Sequence, residues 1–396
     1  MWSFADLLLA FYFHEVLHLE GVRTGQLLFA LLIFGALCDV GVGVALTYFR
    51  AGWRGILLIH FLGSIATAVT LFGQFNVDSQ PVGLLLLSGM LFRLAYALYD
   101  VPQTALTSLL PVDDSDARRY VRLRTTLSAV ARLAVTGANL GLAQLSAAIF
   151  DGSENLVLLI FGIAIVATSA SLFRVASGVE RRRETPKPAG QFEVPPGLAR
   201  LLLAFVVAVA FFPTLSRLLI FIPSTDTSPY LGAWLLFAFC IGTVLGPTFA
   251  LKAEDAAGTR GACVLSVLLA VLSGDLLALF PHTALPLSAV IAVAYGTGLG
   301  AVGALLWEAV TRLVISHAAT TGQRADAMVF GLVIFSIQVS IAIGSLVLGE
   351  LLEGFRQSDD PAHFWTAAIT TGSGLLTVAL LLGQSTLSQK TAVAAA

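Results

Sequence analysis

The amino-acid sequence predicts an all-α membrane protein of twelve transmembrane helices in two six-helix halves. Three observations carry that expectation. The 396 residues are 57% apolar and 12% charged, whereas a soluble domain has roughly a quarter charged residues and needs them to cover its surface. Twelve runs each supply the ~20 mostly apolar residues that cross a bilayer. The longest polar connection, near 177–198, falls between the sixth run and the seventh.

The runs lie near 2–19, 25–48, 54–76, 82–111, 119–150, 154–176, 199–223, 229–251, 261–281, 284–316, 326–355 and 363–386. The first is interrupted by Asp6, His14, Glu15 and His18. It lacks the basic start and small-residue cleavage site of a signal peptide, so it is read as a span. Even-numbered connections carry Arg50 and Arg54, Arg118 and Arg119, Arg181 to Arg183 with Lys187, Lys252 and Arg260, and Arg324, while odd-numbered ones hold little beyond Arg23 and Arg356. The positive-inside rule therefore places both termini in the cytoplasm, with the cell (inner) membrane as the expected location. The long connection, with its arginine run and its prolines before Gly197, reads as a flexible cytoplasmic linker. The expected organisation is a six-helix half over 1–176, a linker over 177–198 and a second half over 199–396.

A net charge of −2 gives no mark of a nucleic-acid partner. Cys38, Cys240 and Cys263 sit in apolar runs without CxxC spacing, which speaks against disulfides and a zinc site. A weak internal repeat links the halves: Arg50-Ala-Gly-Trp-Arg54 follows the second span, and Lys252 with Gly258-Thr-Arg260 follows the eighth. Twelve spans, a central linker and corresponding basic turns resemble the parallel-repeat layout of the major facilitator architecture, in which a solute site lies near the midplane between the halves.

An ionisable group in a span costs ~2.5–3.5 kcal/mol on insertion scales and usually has a partner or a task. In the fourth span Arg93, Tyr96 and Asp100 stand at i, i+3 and i+7, on one helical face, with Pro102 just beyond to loosen the backbone. A donor fork, an aromatic plate and an acceptor suit a hydroxyl-rich or zwitterionic solute; the alternative is a structural network with neighbouring helices. Asp39, midway along the second span, either binds a proton or Na⁺ or is held by an arginine such as Arg132. In the fifth span Arg122 reads as interfacial, snorkelling to headgroups, and Arg124 as deep enough to reach toward Asp100. Glu308 and Arg312 in the tenth span read as an i, i+4 pair with a structural or gating role. Arg217 and Asp275 read as an outer rim network. The chain holds no nucleophile–base pair, GxSxG, Walker loop or HExxH, so an enzyme is not expected, and no cofactor is implied.

Three stretches together resemble the glycoside–pentoside–hexuronide cation symporters, the family of the melibiose permease. In GALCDVGVGVALTYFRAGWRG, Asp39 stands at the first acid of the family's Asp-Ala-x-x-Asp-Pro segment and Gly43 at the second. Asp100-Val101-Pro102-Gln-Thr-Ala105-Leu106, continuing to Arg124, is similar to the family's Asp-Val-Pro-x-x-Ala-Leu stretch and fifth-helix arginine. Thr321-Gly322-Gln-Arg324-Ala-Asp326, then Val329-Phe330-Gly331 and Phe335, is similar to its Thr-Gly-x-Arg-x-Glu-Gly loop and following helix, with Gln338 at the place of a buried lysine. With one extra turn, Glu308 falls at the family's tenth-helix acid. Trp2 falls near its first-helix sugar-binding acid, and Asp6, one turn on, can stand in.

The resemblance implies a secondary transporter with a sugar-type pocket using Asp100 and Arg124, assisted by Tyr96, Arg93 and Asp6, and a cation site that includes Asp39. Gly43 and Gln338 depart from the family's Na⁺ chemistry. A proton, which needs one carboxylate, is therefore expected as the coupling ion in preference to Na⁺. The expected partners are a small-molecule solute, a proton and membrane lipid, and the carrier is expected to be a monomer. Two other readings stay open: transport of a lysolipid or other amphipathic solute on the same fold, since the interior is less polar than a sugar carrier's, and a transport-dead receptor or assembly factor.

Overall fold

The structure, a computed structural model, describes residues 21–48, 53–75, 82–109, 114–145, 154–177, 194–219, 231–280, 285–321, 326–356 and 360–395. These residues form helices α1 (Gly21–Tyr48), α2 (Trp53–Phe75), α3 (Val82–Leu109), α4 (Asp114–Leu145), α5 (Glu154–Ser177), α6 (Leu198–Ala210), α7 (Thr214–Leu218), α8 (Leu231–Leu279), α9 (Leu285–Thr321), α10 (Asp326–Arg356) and α11 (Asp360–Ala395). Among the described residues, eight segments are long and apolar enough to cross a membrane. The sequence count of twelve is larger for identifiable reasons. The first predicted run, with Trp2, Asp6, His14, Glu15 and His18, lies outside the described residues, as does 178–193 of the linker. The described apolar stretch of α5, Gly162–Arg174, is shorter than a span, α4, which carries the fifth run, is not among the eight, and α8 holds two predicted runs.

Within α8 the runs 229–251 and 261–281 are divided at Gly258, whose φ of 70° lies in the left-handed region. A residue without Cβ takes that conformation at no steric cost. The seventh predicted run shows the opposite departure, reading as one span but breaking into α6 and α7 at 211–213. Pro213 has no N–H for the carbonyl four residues back. Arg217 supplies the missing donors: Nη2 donates to Val209 O at 3.0 Å and Nη1 to Ala210 O at 3.5 Å. Pro102, by contrast, stays inside a helix that continues to Leu109.

The chain packs as two compact units, each assembled from separate stretches of sequence. One comprises 1–113, 145–195 and 311–342; the other comprises 114–144, 196–310 and 343–396. In the first, α3 packs against α1 and α2, and α2 also packs against α5. Gly63 of α2 makes the α2–α3 approach possible, since a Cβ there would fall 2.5 Å from the Leu98 carbonyl group. His60, one turn earlier, stacks on the Tyr99 ring at 4.9 Å and places Nδ1 3.0 Å from Tyr99 O, so Nδ1 carries the hydrogen of that bond. In the second unit, α11 packs against α8 and α6, and glycines bring α8 and α9 into backbone contact. A Cβ at Gly246 would meet Ala301 N at 2.5 Å, and one at Gly300 would meet Thr243 O at 2.6 Å. Small residues serve membrane helices in this way because close approach maximises dispersion where the solvent is itself apolar.

Candidate functional site

In the first unit, α1, α3 and α10 bring a set of polar side chains into an otherwise apolar interior. Asp39 of α1 is buried to 1% exposure, Arg93 of α3 to 2% and Gln338 of α10 to 1%. Gln338 Nε2 donates to Asp39 Oδ2. Arg93 and Asp100 are near enough that their charges act on Asp39. Gly35, one turn before Asp39, leaves space for the cluster: a Cβ there would lie 2.6 Å from Gln338 Oε1 and 3.1 Å from Arg93 Cδ. The rings of Phe92 and Tyr99 flank Tyr96 at 5.9 and 6.0 Å. Of the residues assigned to one face of the fourth span, Arg93 and Asp100 both act on Asp39, while Tyr96 stands between two rings of its own helix. Asp39 thus feels one positive charge, Arg93, and one negative charge, Asp100, and the neutral amide of Gln338 adds none.

Gly43, at the family's second acid, is where α1 and α10 cross. A Cβ on it would lie 2.7 Å from Ala327 O and 3.4 Å from Gly331 Cα, and a Cβ on Gly331 would lie 2.9 Å from Asp39 O. The space of a second carboxylate is taken by the backbone of the neighbouring helix.

In the second unit, α4, α8 and α9 form a different polar set. Arg122 of α4 donates through Nη2 to Glu254 Oε2 of α8 at 2.9 Å and lies 3.8 Å from Glu308 Oε2 of α9. Thr259, just past the Gly258 bend, donates to Glu254 Oε1 at 2.7 Å. Arg122 is thus half-buried between two acids, where the sequence suggested an interfacial arginine. Glu308 has Arg122 within reach, and Arg312, expected as its i, i+4 partner, is exposed. Arg124, two residues further along α4, sets its guanidinium 4.5 Å from the centre of the Trp307 ring, which Phe205 meets edge-on at 5.5 Å. A guanidinium over an aromatic face is held by the ring quadrupole. Asp100 and Arg124 belong to different compact units. Arg132, an alternative partner for Asp39, acts instead on Cys240.

Sequence reasoning missed Glu254, Thr259 and the Trp307 platform. Arg122 and Glu254 are 132 residues apart, and Glu254 sits in a connection where an acid is unremarkable, so no local pattern marked it.

Long apolar helices that share a few buried ionisable side chains define a polytopic membrane protein. The model of the MFS/sugar transport protein family matches residues 1–387, and the chain belongs to that family. It is a multi-pass integral membrane protein and a secondary transporter of the major facilitator fold, not an enzyme, as the resemblance to melibiose permease-like symporters implied. Solved structures show the same fold at low identity. FucP, the fucose:proton symporter of E. coli, in its outward conformation, aligns with TM-score 0.63 and 13% identity over 97% of this chain and 95% of that one. A bacterial homologue of the iron transporter ferroportin, outward-facing, aligns with TM-score 0.66 and 11% identity over 97% and 95%. The nucleoside transporter NupG aligns with TM-score 0.59 and 15% identity over 96% and 95%. No curated protein sequence matches the chain.

Proposed function

We propose that this carrier moves a small polar solute of the sugar class by alternating access, coupled to protons through Asp39. The observation that supports the reading is the buried Asp39, hydrogen-bonded by the neutral Gln338 and acted on by one guanidinium, Arg93, and a second acid, Asp100. A proton on Asp39 removes its charge, so taking up or giving up a proton changes how α1, α3 and α10 attract one another. Na⁺ fits less well, because it needs several oxygen ligands and Gly43 contributes no side-chain oxygen.

In this reading Asp100 and Arg124 bind solute hydroxyls as acceptor and donor, and Tyr96, Arg93 and Asp6 assist. Arg122, Glu254 and Glu308, with Arg312 nearby in sequence, gate access. The chain works as a monomer of two six-helix halves, 1–176 and 199–396, joined by the 177–198 linker. Its termini and linker face the cytoplasm of the cell (inner) membrane.

Purified protein is screened for thermal stabilisation with a panel of glycosides and lysolipids, and the hits are tested for uptake into proteoliposomes. Uptake of a glycoside driven by an inward proton gradient and lost in Asp39→Asn is expected. Stimulation by Na⁺ at constant pH would overturn proton coupling, and indifference to both ions would indicate uniport. Stabilisation by lysolipids alone would overturn the sugar assignment, and stabilisation by neither would favour a receptor.

A further inference from the structure

The second compact unit holds another intramembrane acid that the coupling proposed above does not use. Asp275 lies on α8 past the Gly258 bend, in an apolar stretch reading VLSGDLLALF. Its Oδ2 accepts a hydrogen bond from Thr371 Oγ1 of α11 at 2.5 Å. Its Oδ1 is sealed from solvent and has no hydrogen-bond partner.

The charged and titratable groups around it are few. From α9, Tyr295 packs against the neighbouring Gly274, where a Cβ would lie 3.0 Å from its ring, and its hydroxyl donates to Phe212 O at 3.1 Å. From α7, Arg217 acts electrostatically on Tyr295, as Asp275 does, but turns its nitrogens to the α6 carbonyls. Asp275 thus has one donor on one oxygen, no donor on the other and no ion pair among the described residues.

A carboxylate in a membrane span that lacks a cationic partner is costly to keep ionised, and a buried polar atom without a partner calls for a ligand or a task. Na⁺ would need more oxygens than one carboxylate and one hydroxyl provide. A proton needs only the open Oδ1, and Thr371 continues to donate to Oδ2 when the proton arrives.

We infer that Asp275 is a second proton-binding site, held by Thr371 and lying beside the α6–α7 break, so that each compact unit carries one proton-binding carboxylate. The break lies within one hydrogen bond of this acid's neighbour, because Tyr295 fastens the Phe212 carbonyl. Charge on Asp275 therefore reaches the α6–α7 break, where a predicted span of this unit is interrupted at Pro213.

Infrared difference spectra of the full-length protein in lipid, recorded as pH is stepped, detect protonated buried carboxyls by their carbonyl stretch and require no solute. Asp275→Asn is expected to lose one such band. The band that Asp39→Asn removes is retained, so the two assignments succeed or fail separately. A spectrum of Asp275→Asn with every carboxyl band intact would overturn the inference. Thr371→Val leaves the carboxylate in place and removes the hydroxyl that favours its ionised form. It is expected to keep the band and move its appearance toward higher pH, and a band unmoved in that variant would equally overturn the site. Unfolding temperatures of both variants, measured alongside, establish that the spectra report folded protein.

Discussion

At the scale of single residues, Gly43 shows why a departure from a family motif is not simply a loss. Motif comparison reads it as a missing carboxylate. Packing reads it as the residue that lets α1 and α10 touch, with Ala327 O where a side chain would begin. Restoring the acid by Gly43→Asp is therefore expected to destabilise the fold without creating a Na⁺ site. Overpacking costs roughly 1–3 kcal/mol, and a carboxylate in a span adds ~2.5–3.5 kcal/mol. The measurement is the unfolding temperature of the purified variant with and without Na⁺; a variant as stable as the parent, or one that Na⁺ stabilises, would contradict this account. Gln338→Leu removes the one amide donor to Asp39, which is expected to cost roughly 1–3 kcal/mol for a buried acceptor left unsatisfied and to be read in the same thermal assay. Asp39, Arg93 and Asp100 were legible because ionisable residues stand out in apolar runs. That Gln338 meets Asp39 was accessible only through the family's lysine position, since 299 residues separate them.

At the scale of elements, helix bounds were legible to a residue or two where a polar connection ends an apolar run, as for Glu154–Ser177 and Asp326–Arg356, whereas α4, α9 and α11 depart from the expected bounds by five residues or more at one end or both. Interruptions inside a run were not legible. Pro102 and Pro213 have the same backbone chemistry, yet one is absorbed and the other breaks its helix. The difference lies in the neighbours: α3 continues past Pro102 with α2 packed on the Leu98 carbonyl group, while Pro213 follows two phenylalanines at a site where Arg217 can serve the freed carbonyls. Hydropathy sees neither fact. Arg217→Ala is expected to cost roughly 1–3 kcal/mol, since two buried carbonyls lose a charged donor. Arg217→Lys should recover only part of that, because an ammonium does not reproduce the two-pronged geometry. Thermal unfolding of the two variants tests this; equal loss in both would mean that Arg217 acts through charge or packing and not as a fork.

At the scale of the whole molecule, a carrier must close and reopen, and Arg122 is placed to bias that equilibrium. It joins α4, from the first part of the sequence, to α8 and α9, from the second, through Glu254 at 2.9 Å and Glu308 at 3.8 Å. The two acids gather around one arginine, and Thr259 fixes Glu254 from the far side, so losing Arg122 leaves neighbouring carboxylates with less to hold them. The clamp is partly exposed, which limits its worth: pairs in reach of water contribute roughly 0.2–1 kcal/mol. That is enough to matter for a balance between conformations, since 1 kcal/mol changes an equilibrium about fivefold. Arg122→Gln is accordingly expected to loosen the clamp without unfolding the protein. Ala250, buried one turn before Glu254 on α8, reports it: in a background lacking Cys38, Cys240 and Cys263, the alkylation rate of an Ala250→Cys variant should rise by up to about fivefold when Arg122→Gln is added. Exchanging the charges, Arg122→Glu with Glu254→Arg, should bring the rate back toward that of the parent, because the pair is re-formed across the same two helices. An unchanged rate in Arg122→Gln would assign the clamp a purely structural role. A raised rate that the exchange fails to lower would show that Glu308, and not Glu254, is the acid that holds Arg122.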